Sequence, residues 1–263
     1  MMAQPITEIR FDDGAAYERG MGVWSRLAGD VFLDWLAPDQ GLRWLDVGCG
    51  SGAFSEAVLQ RCAPAEVQGV DPSEAQLVFA RSRSPAATFQ VGDAMALPFP
   101  AARFDAAAMA LVIFFVPDPA KGVAEMARVV RPGGLVAAYA WDFTGGGFPF
   151  HPMQEALREI GVPPLRPPSA GAERMDVLRA LWQGAGLDAI ETREIVVRRS
   201  FASFQELWDV STSTGSMRPT VAGLSDAQRA ALQDQLRAQL PAGLDGLISY
   251  PARANAIKGR VPG

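Results

Sequence analysis

The residues with the most chemical meaning stand at Trp44-Leu45-Asp46-Val47-Gly48-Cys49-Gly50-Ser51-Gly52, where a short apolar run breaks into alternating glycines and a helix opens at Ser51. Glycines at that spacing let the backbone curl tightly and let a ligand approach main-chain atoms with no Cβ in the way. The first N–H groups of the helix then face the ligand. The spacing does not choose the ligand, because Gly48, Gly50 and Ala53 also satisfy the dinucleotide pattern Gly-x-Gly-x-x-Gly/Ala. Asp46 does. A carboxylate just before the turn repels a pyrophosphate and favours a ligand that carries an ammonium and a sulfonium in place of phosphates. Two further carboxylates, Asp71 and Asp93, close the next two apolar runs. The sole histidine, His151, follows Phe148-Pro149-Phe150 and is the general-base candidate. The alternative for it is a histidine hydrogen-bonded within a structured loop. Phe115, Trp141, Phe143 and Phe148, with Phe114, are candidates to line a flat apolar acceptor pocket, against the alternative of aromatic core packing.

These residues must be held by alternating strands and helices. Apolar runs at 43–47, 66–70, 87–91, 104–111 and 135–141 alternate with helical patterns, which implies parallel strands covered on both faces and joined by crossover helices. Asp118 as N-cap, Pro119 at the first helical position and Pro132-Gly133-Gly134 past the end punctuate a helix at 118–130. A helix at 173–185 and a strand at 190–197 follow, and then a mostly helical stretch over 204–240 that reads as an insertion. Within it Ser225 and Gln228 make a capping box, and Leu232, Leu236 and Leu240 form a face expected to pack on the core. The last strand, 247–258, contains Pro251, which predicts a late start or a bulge there. A loop rich in glycine and aromatics over 142–152 and a proline-rich stretch over 161–168 mark a domain boundary or lid hinge.

Composition removes several function classes. The chain has 263 residues with a formal charge of −5 and no block of Lys or Arg to track a phosphate backbone, so nucleic acid is not an expected partner. Two cysteines and one histidine provide neither a disulfide framework nor a zinc set, so no metal is expected. The start lacks a basic leader followed by an apolar stretch, and the longest apolar run, 106–117, is too short to span a bilayer. The sequence therefore predicts a cytoplasmic protein without membrane contact.

The stretch Leu45-Asp46-Val47-Gly48-Cys49-Gly50-Ser51-Gly52 is similar to the first motif of the class I S-adenosylmethionine (SAM)-dependent methyltransferases. Val70-Asp71-Pro72-Ser73, Gly92-Asp93-Ala94, Phe104-Asp105 and Arg131-Pro132-Gly133-Gly134 resemble the later motifs in order and spacing. The resemblance covers roughly Tyr17 to Trp141 and is to the broad group that includes ubiquinone- and menaquinone-type enzymes. It implies a doubly wound α/β fold: a seven-stranded, mostly parallel Rossmann-like sheet with the last strand antiparallel. It also implies an N-terminal helical lid (1–40), a SAM-binding core (41–142), a substrate loop (143–172) and a helical insertion (200–245) in a single domain. SAM is the implied cofactor and S-adenosylhomocysteine the product. Asp71, beside Pro72, would hold the ribose hydroxyls; Asp93, Ala94, Met95 and Gln76 the adenine; and Asp46, Gly48, Cys49, Gly50 and Leu111 the rest of the cofactor. Tyr17 would lie near the methionine part and Arg26 would pair with its carboxylate. The implied activity is methyl transfer to a small-molecule acceptor, aromatic or quinone-like. Strand four ends in Leu111-Val112-Ile113-Phe114-Phe115, with none of the Asn-Pro-Pro-Tyr pattern of enzymes that methylate exocyclic amines. The rival readings are a nicotinamide-dependent oxidoreductase, which Asp46 opposes, and a SAM-binding module without transfer activity.

Overall fold

The computed structural model describes residues 18–163, 166–213 and 217–263. Its sheet has the order β3-β2-β1-β4-β5-β7-β6. The strands are β1 (Arg43–Val47), β2 (Glu66–Asp71), β3 (Thr88–Val91), β4 (Phe104–Ala110), β5 (Val130–Trp141), β6 (Asp188–Phe201) and β7 (Ile248–Arg260). The first five pair in parallel, and β7 runs antiparallel to both β5 and β6. Strand order reverses between β1 and β4, and in such sheets a crevice opens beyond the carboxyl ends of the strands at that switch point. Asp46, Asp71, Asp93 and Leu111 all stand at or just past those ends.

Helices α1 (Val23–Leu36), α2 (Ala53–Arg61), α3 (Glu74–Arg83), α4 (Pro119–Val129), α5 (His151–Glu159) and α6 (Met175–Gly184) cover the sheet. A π-helical turn, Glu18–Gly22, leads into α1. The helices α7 (Phe204–Thr212), α8 (Met217–Ala222) and α9 (Asp226–Gln239) fill the segment between β6 and β7. The capping chemistry explains several starts. The Ser73 hydroxyl accepts from the Gln76 amide, Asp118 accepts from Lys121 with Pro119 following, and Ser225 and Gln228 form the reciprocal capping box. Leu232 and Leu236 of α9 are buried, with α9 packed on α5.

Three details depart from the sequence reading. β5 begins at Val130, before the Pro-Gly-Gly turn, because Val130 pairs with Phe104 and the register then shifts before Leu135 joins Ala106. β7 runs unbroken through Pro251, opposite Arg198. Its pairing with β5 stops at Ala254, so on that side nothing requires a donor from the proline nitrogen. The segment 143–172 is not one loop, since α5 occupies its middle.

At the amino ends of the parallel strands, Asp105 accepts from the Arg43 amide at 2.9 Å and from its guanidinium at 2.9 and 3.1 Å, and Arg131 reaches it at 2.5 Å. These bonds hold the Asp105 carboxyl well below the usual carboxylate range. They tie β1, β4 and β5 together at the end opposite the crevice.

Candidate functional site

A cavity of about 480 Å³ occupies the crevice, roomy enough for a nucleoside-sized ligand. Its floor is the glycine turn. Gly48, at φ +73, needs the left-handed region, and a Cβ there would lie 2.5 Å from Val112 Cγ1. Gly50, at φ +50, faces open space. The Gly48 and Cys49 amides both bond to the Val70 carbonyl, which docks the turn on β2.

Asp71 sits at the end of β2 with its carboxylate braced. Oδ2 accepts from the Gly50 amide and Oδ1 from the Ser73 amide, each at 2.9 Å. Burial pushes its pKa up, against the pull of those two amides. The carboxylate is thus aimed by the glycine turn and keeps lone pairs for a diol. Past β3, Asp93 Oδ1 accepts from the Met95 amide at 2.8 Å. Asp93, Ala94 and Gln76 line one end of the cavity.

Asp46 is 2% exposed. Its Oδ2 accepts from the Ser55 hydroxyl at 2.7 Å, and its Oδ1 is buried without a partner. Burial pushes its pKa up to about 7, the Ser55 hydroxyl opposing and Asp71 adding. A buried, half-satisfied carboxylate is costly unless a donor or cation arrives. Burial also pushes the Cys49 thiol up, with Asp46 and Asp71 adding.

Beyond the turn the wall becomes apolar. Leu111, Val112, Phe115, Val116 and Pro117 follow β4, and Tyr139 rises from β5. Leu111 is a non-glycine residue at φ +64, its amide bonded to the Tyr139 carbonyl at 2.8 Å. Backbone strain of this kind, about 1–3 kcal/mol, persists at functional sites when the surroundings fix it. From above, the π-turn and α1 contribute Gly22, Ser25, Arg26 and Gly29. A Cβ on Gly29 would lie 3.1 Å from Tyr139 Oη, so this mid-helix glycine gives the tyrosine its place.

The structure brings Arg26, Asp46, Gly48, Cys49, Gly50, Asp71, Pro72, Gln76, Asp93, Ala94, Leu111 and Phe115 to this one cavity. Met95 stands behind Asp93 rather than on the wall, and Tyr17 lies outside the described residues. His151 does not line the cavity. It opens α5, with Nε2 3.2 Å from Glu155 Oε1 and Nδ1 buried without a partner. Trp141, Phe143 and Phe148 are also off the wall, and of these Phe143 and Phe148 connect to it through Phe114. Phe115 meets Phe114 at 4.7 Å between centroids, Phe114 meets Phe143 at 4.9 Å, and Phe143 stacks on Phe148 at 4.3 Å. They form a rigid backing to the wall. Val112, Gly29 and Tyr139 were not singled out from sequence, and the one local signal was a glycine inside an amphipathic helix.

The donor set tests the ligand class. Asp46, Asp71, Asp93 and Glu56 line the cavity with Arg26 as the cation among the described lining residues. That set repels phosphates and suits a cation-bearing nucleoside. Within this set Asp46 Oδ1 is a buried acceptor left without a partner. Fold and site together define a Rossmann-like nucleoside-binding protein built for a positively charged ligand.

Comparison with known proteins sharpens this. Residues 45–138 match the family described as a methyltransferase domain. The ubiquinone/menaquinone biosynthesis C-methyltransferase UbiE of Cereibacter sphaeroides is 40% identical over 115 residues, 41% of this chain and 46% of that protein. The O-methyltransferase cnsE of Penicillium expansum is 34% identical over 193 residues, 70% of this chain and 66% of that one. The match to UbiE spans about half the length of that relative. The solved structure of Haemonchus contortus phosphoethanolamine N-methyltransferase 2 in complex with SAM shares the fold, with a TM-score of 0.58, 20% identity and coverage of 94% of this chain and 56% of that one. The chain belongs to the class I SAM-dependent methyltransferases, and SAM is the cofactor that its cavity fits.

Proposed function

We propose that this chain transfers a methyl group from SAM to a small, predominantly apolar acceptor, aromatic or quinone-like. One observation carries the reading: a single cavity has carboxylates at one end and an apolar wall, Leu111 to Pro117 with Tyr139, at the other. Asp71 would hold the ribose hydroxyls, Asp93, Ala94 and Gln76 the base, and Asp46, Gly48, Gly50 and Arg26 the amino-acid end. Bound SAM supplies an electrophilic methyl on a sulfonium. The protein's work is then to align an acceptor and keep water away, and Leu111, Val112, Phe115, Val116 and Pro117 do this by shape. No proton transfer is assigned to His151, which is not on the wall. An acceptor that arrives as an enolate, a phenolate or a neutral amine needs no base there. The C- and O-methyltransferases among the relatives support carbon and oxygen acceptors alike.

Among the described residues no helix is long and apolar enough to cross a membrane. With the acidic charge balance, this supports a cytoplasmic enzyme acting on free small molecules rather than on nucleic acid. The test is calorimetric titration with SAM and, separately, NADH, followed by transfer of labelled methyl to a panel of phenols, quinols and amines. SAM binding with transfer to a phenol or quinol is the expected result. NADH binding without SAM binding would return the protein to the oxidoreductases, and SAM binding with no transfer to any acceptor would favour a silent binding module.

A further inference from the structure

The lid over the cavity is fastened from a point distant in sequence. Arg199, in β6, donates from Nη1 to the Gly20 carbonyl at 2.8 Å across 179 residues. Gly20 lies in the π-turn, immediately before Gly22, Ser25 and Arg26, which form the cavity's upper wall. The guanidinium stands 4.7 Å from the centroid of the Phe201 ring. Phe201 stacks on Tyr250 at 5.8 Å, and Trp24 of α1, fully buried, meets Tyr250 at 5.3 Å. The register explains this seat. Arg199 pairs with Tyr250 and Phe201 with Ile248, so these side chains leave the antiparallel β6–β7 pair on one face, the face on which α1 packs.

We propose that Arg199 is a positioning residue for the cofactor lid: by holding the Gly20 carbonyl it seats the turn that carries Gly22, Ser25 and Arg26, and so sets how slowly SAM leaves. Arg199, Phe201, Tyr250 and Trp24 do not line the cavity. They reach the cofactor only through the lid, and this inference rests on SAM occupying the cavity. A lid that must lift for both entry and exit changes the two rates together, so affinity moves less than release does.

The test uses the full chain, near-UV circular dichroism to confirm the fold, and release of tritiated SAM into an excess of unlabelled SAM. Arg199→Met keeps a flexible stem over Phe201 but has no donor, whereas Arg199→Lys keeps a long stem, the charge and a donor near the position of Nη1. R199M is expected to release SAM about tenfold faster, the factor one hydrogen bond of ordinary strength represents, with Kd changed less than about threefold, as shared opening requires. R199K is expected to recover most of the slow release. Release from R199M at the wild-type rate, or from R199K as fast as from R199M, overturns the proposal. Wild-type protein that binds no SAM overturns the cofactor reading and this inference with it.

Discussion

If Asp46 is the acceptor for the cofactor's cationic end, SAM binding must be coupled to its proton. Burial lifts this carboxyl from 3.8 to about 7, which disfavours the charged form by about 4 kcal/mol at about 1.4 kcal/mol per pH unit. Near pH 7 the free protein therefore carries Asp46 about half protonated. A cation beside the partnerless Oδ1 favours the ionised form, so binding expels the remaining proton. Affinity should fall as pH drops, by about fifteenfold between pH 7 and pH 5.5 for a single group of this pKa. Calorimetry in two buffers of different ionisation enthalpy should show about half a proton released at pH 7 and nearly one at pH 5.5. Asp46→Asn should flatten the profile and bind SAM about tenfold or more weakly at pH 8, where wild type is fully ionised. Stability should move the other way. A folded-state pKa raised above the unfolded one contributes stability below the unfolded value and loses it as pH rises through about 7. Ligand-free D46N should therefore melt above wild type at pH 8, with the difference closing toward pH 4. A wild-type affinity independent of pH between 5.5 and 7, or a D46N profile that keeps its midpoint near 7, would refute the coupling.

Asp71→Ala removes the acceptor of the Gly50 and Ser73 amides and, on the proposed reading, the acceptors for the ribose. It should weaken SAM binding by about 1–3 kcal/mol while circular dichroism stays native; unchanged affinity by titration would sink the assignment. Gly48→Ala places a methyl 2.5 Å from Val112 Cγ1 at φ +73, so binding should be lost. Gly48→Ala with Val112→Ala should regain only the steric part, leaving about 1–2 kcal/mol of backbone strain; full recovery in the double variant would show that the strain is absent. Asp105→Asn should cost about 1–3 kcal/mol in denaturant melts at pH 7. Because the Asp105 carboxyl is held low, its contribution is present above the unfolded pKa and fades as pH falls below about 4. A gap between variant and wild type that stays constant down to pH 2 would contradict this.

The carboxylate end of the cavity was legible in the sequence because its residues are placed locally. Asp46, Asp71 and Asp93 stand within two residues of the ends of β1, β2 and β3, and the glycine turn follows β1 directly. A glycine turn after an apolar run is a residue-type signal that a short window of sequence displays. The apolar end is made differently. Val112 reaches its place by filling the Cβ position that Gly48 lacks, and Tyr139 by passing Gly29. Such partners depend on register and close approach between distant segments, which no window of sequence displays. His151 was drawn toward the site by its nearness to β5, but the intervening turn is pinned elsewhere. Asp142 bonds to Arg253, while Glu173 accepts from the Thr144 amide and hydroxyl and from the Gly171 amide.

This asymmetry bears on how the protein can choose an acceptor. The carboxylate end is fixed by bonds that the glycine turn makes to Asp71 and to β2, so changes there are expected to cost SAM binding. The apolar end is set by Leu111, held at φ +64, and by the ring contacts running from Phe115 to Phe148 behind it. Those contacts are non-directional packing, in which a swap of similar volume usually costs less than about 1.5 kcal/mol. On the proposed reading, acceptor preference can therefore shift at Phe115 and Val116, whereas Val112, packed against Gly48, and the carboxylates Asp46 and Asp71 do not have that freedom. A site divided in this way would, on the same reading, separate cofactor binding from acceptor choice, which falls to the shape of the wall and the state in which the acceptor arrives.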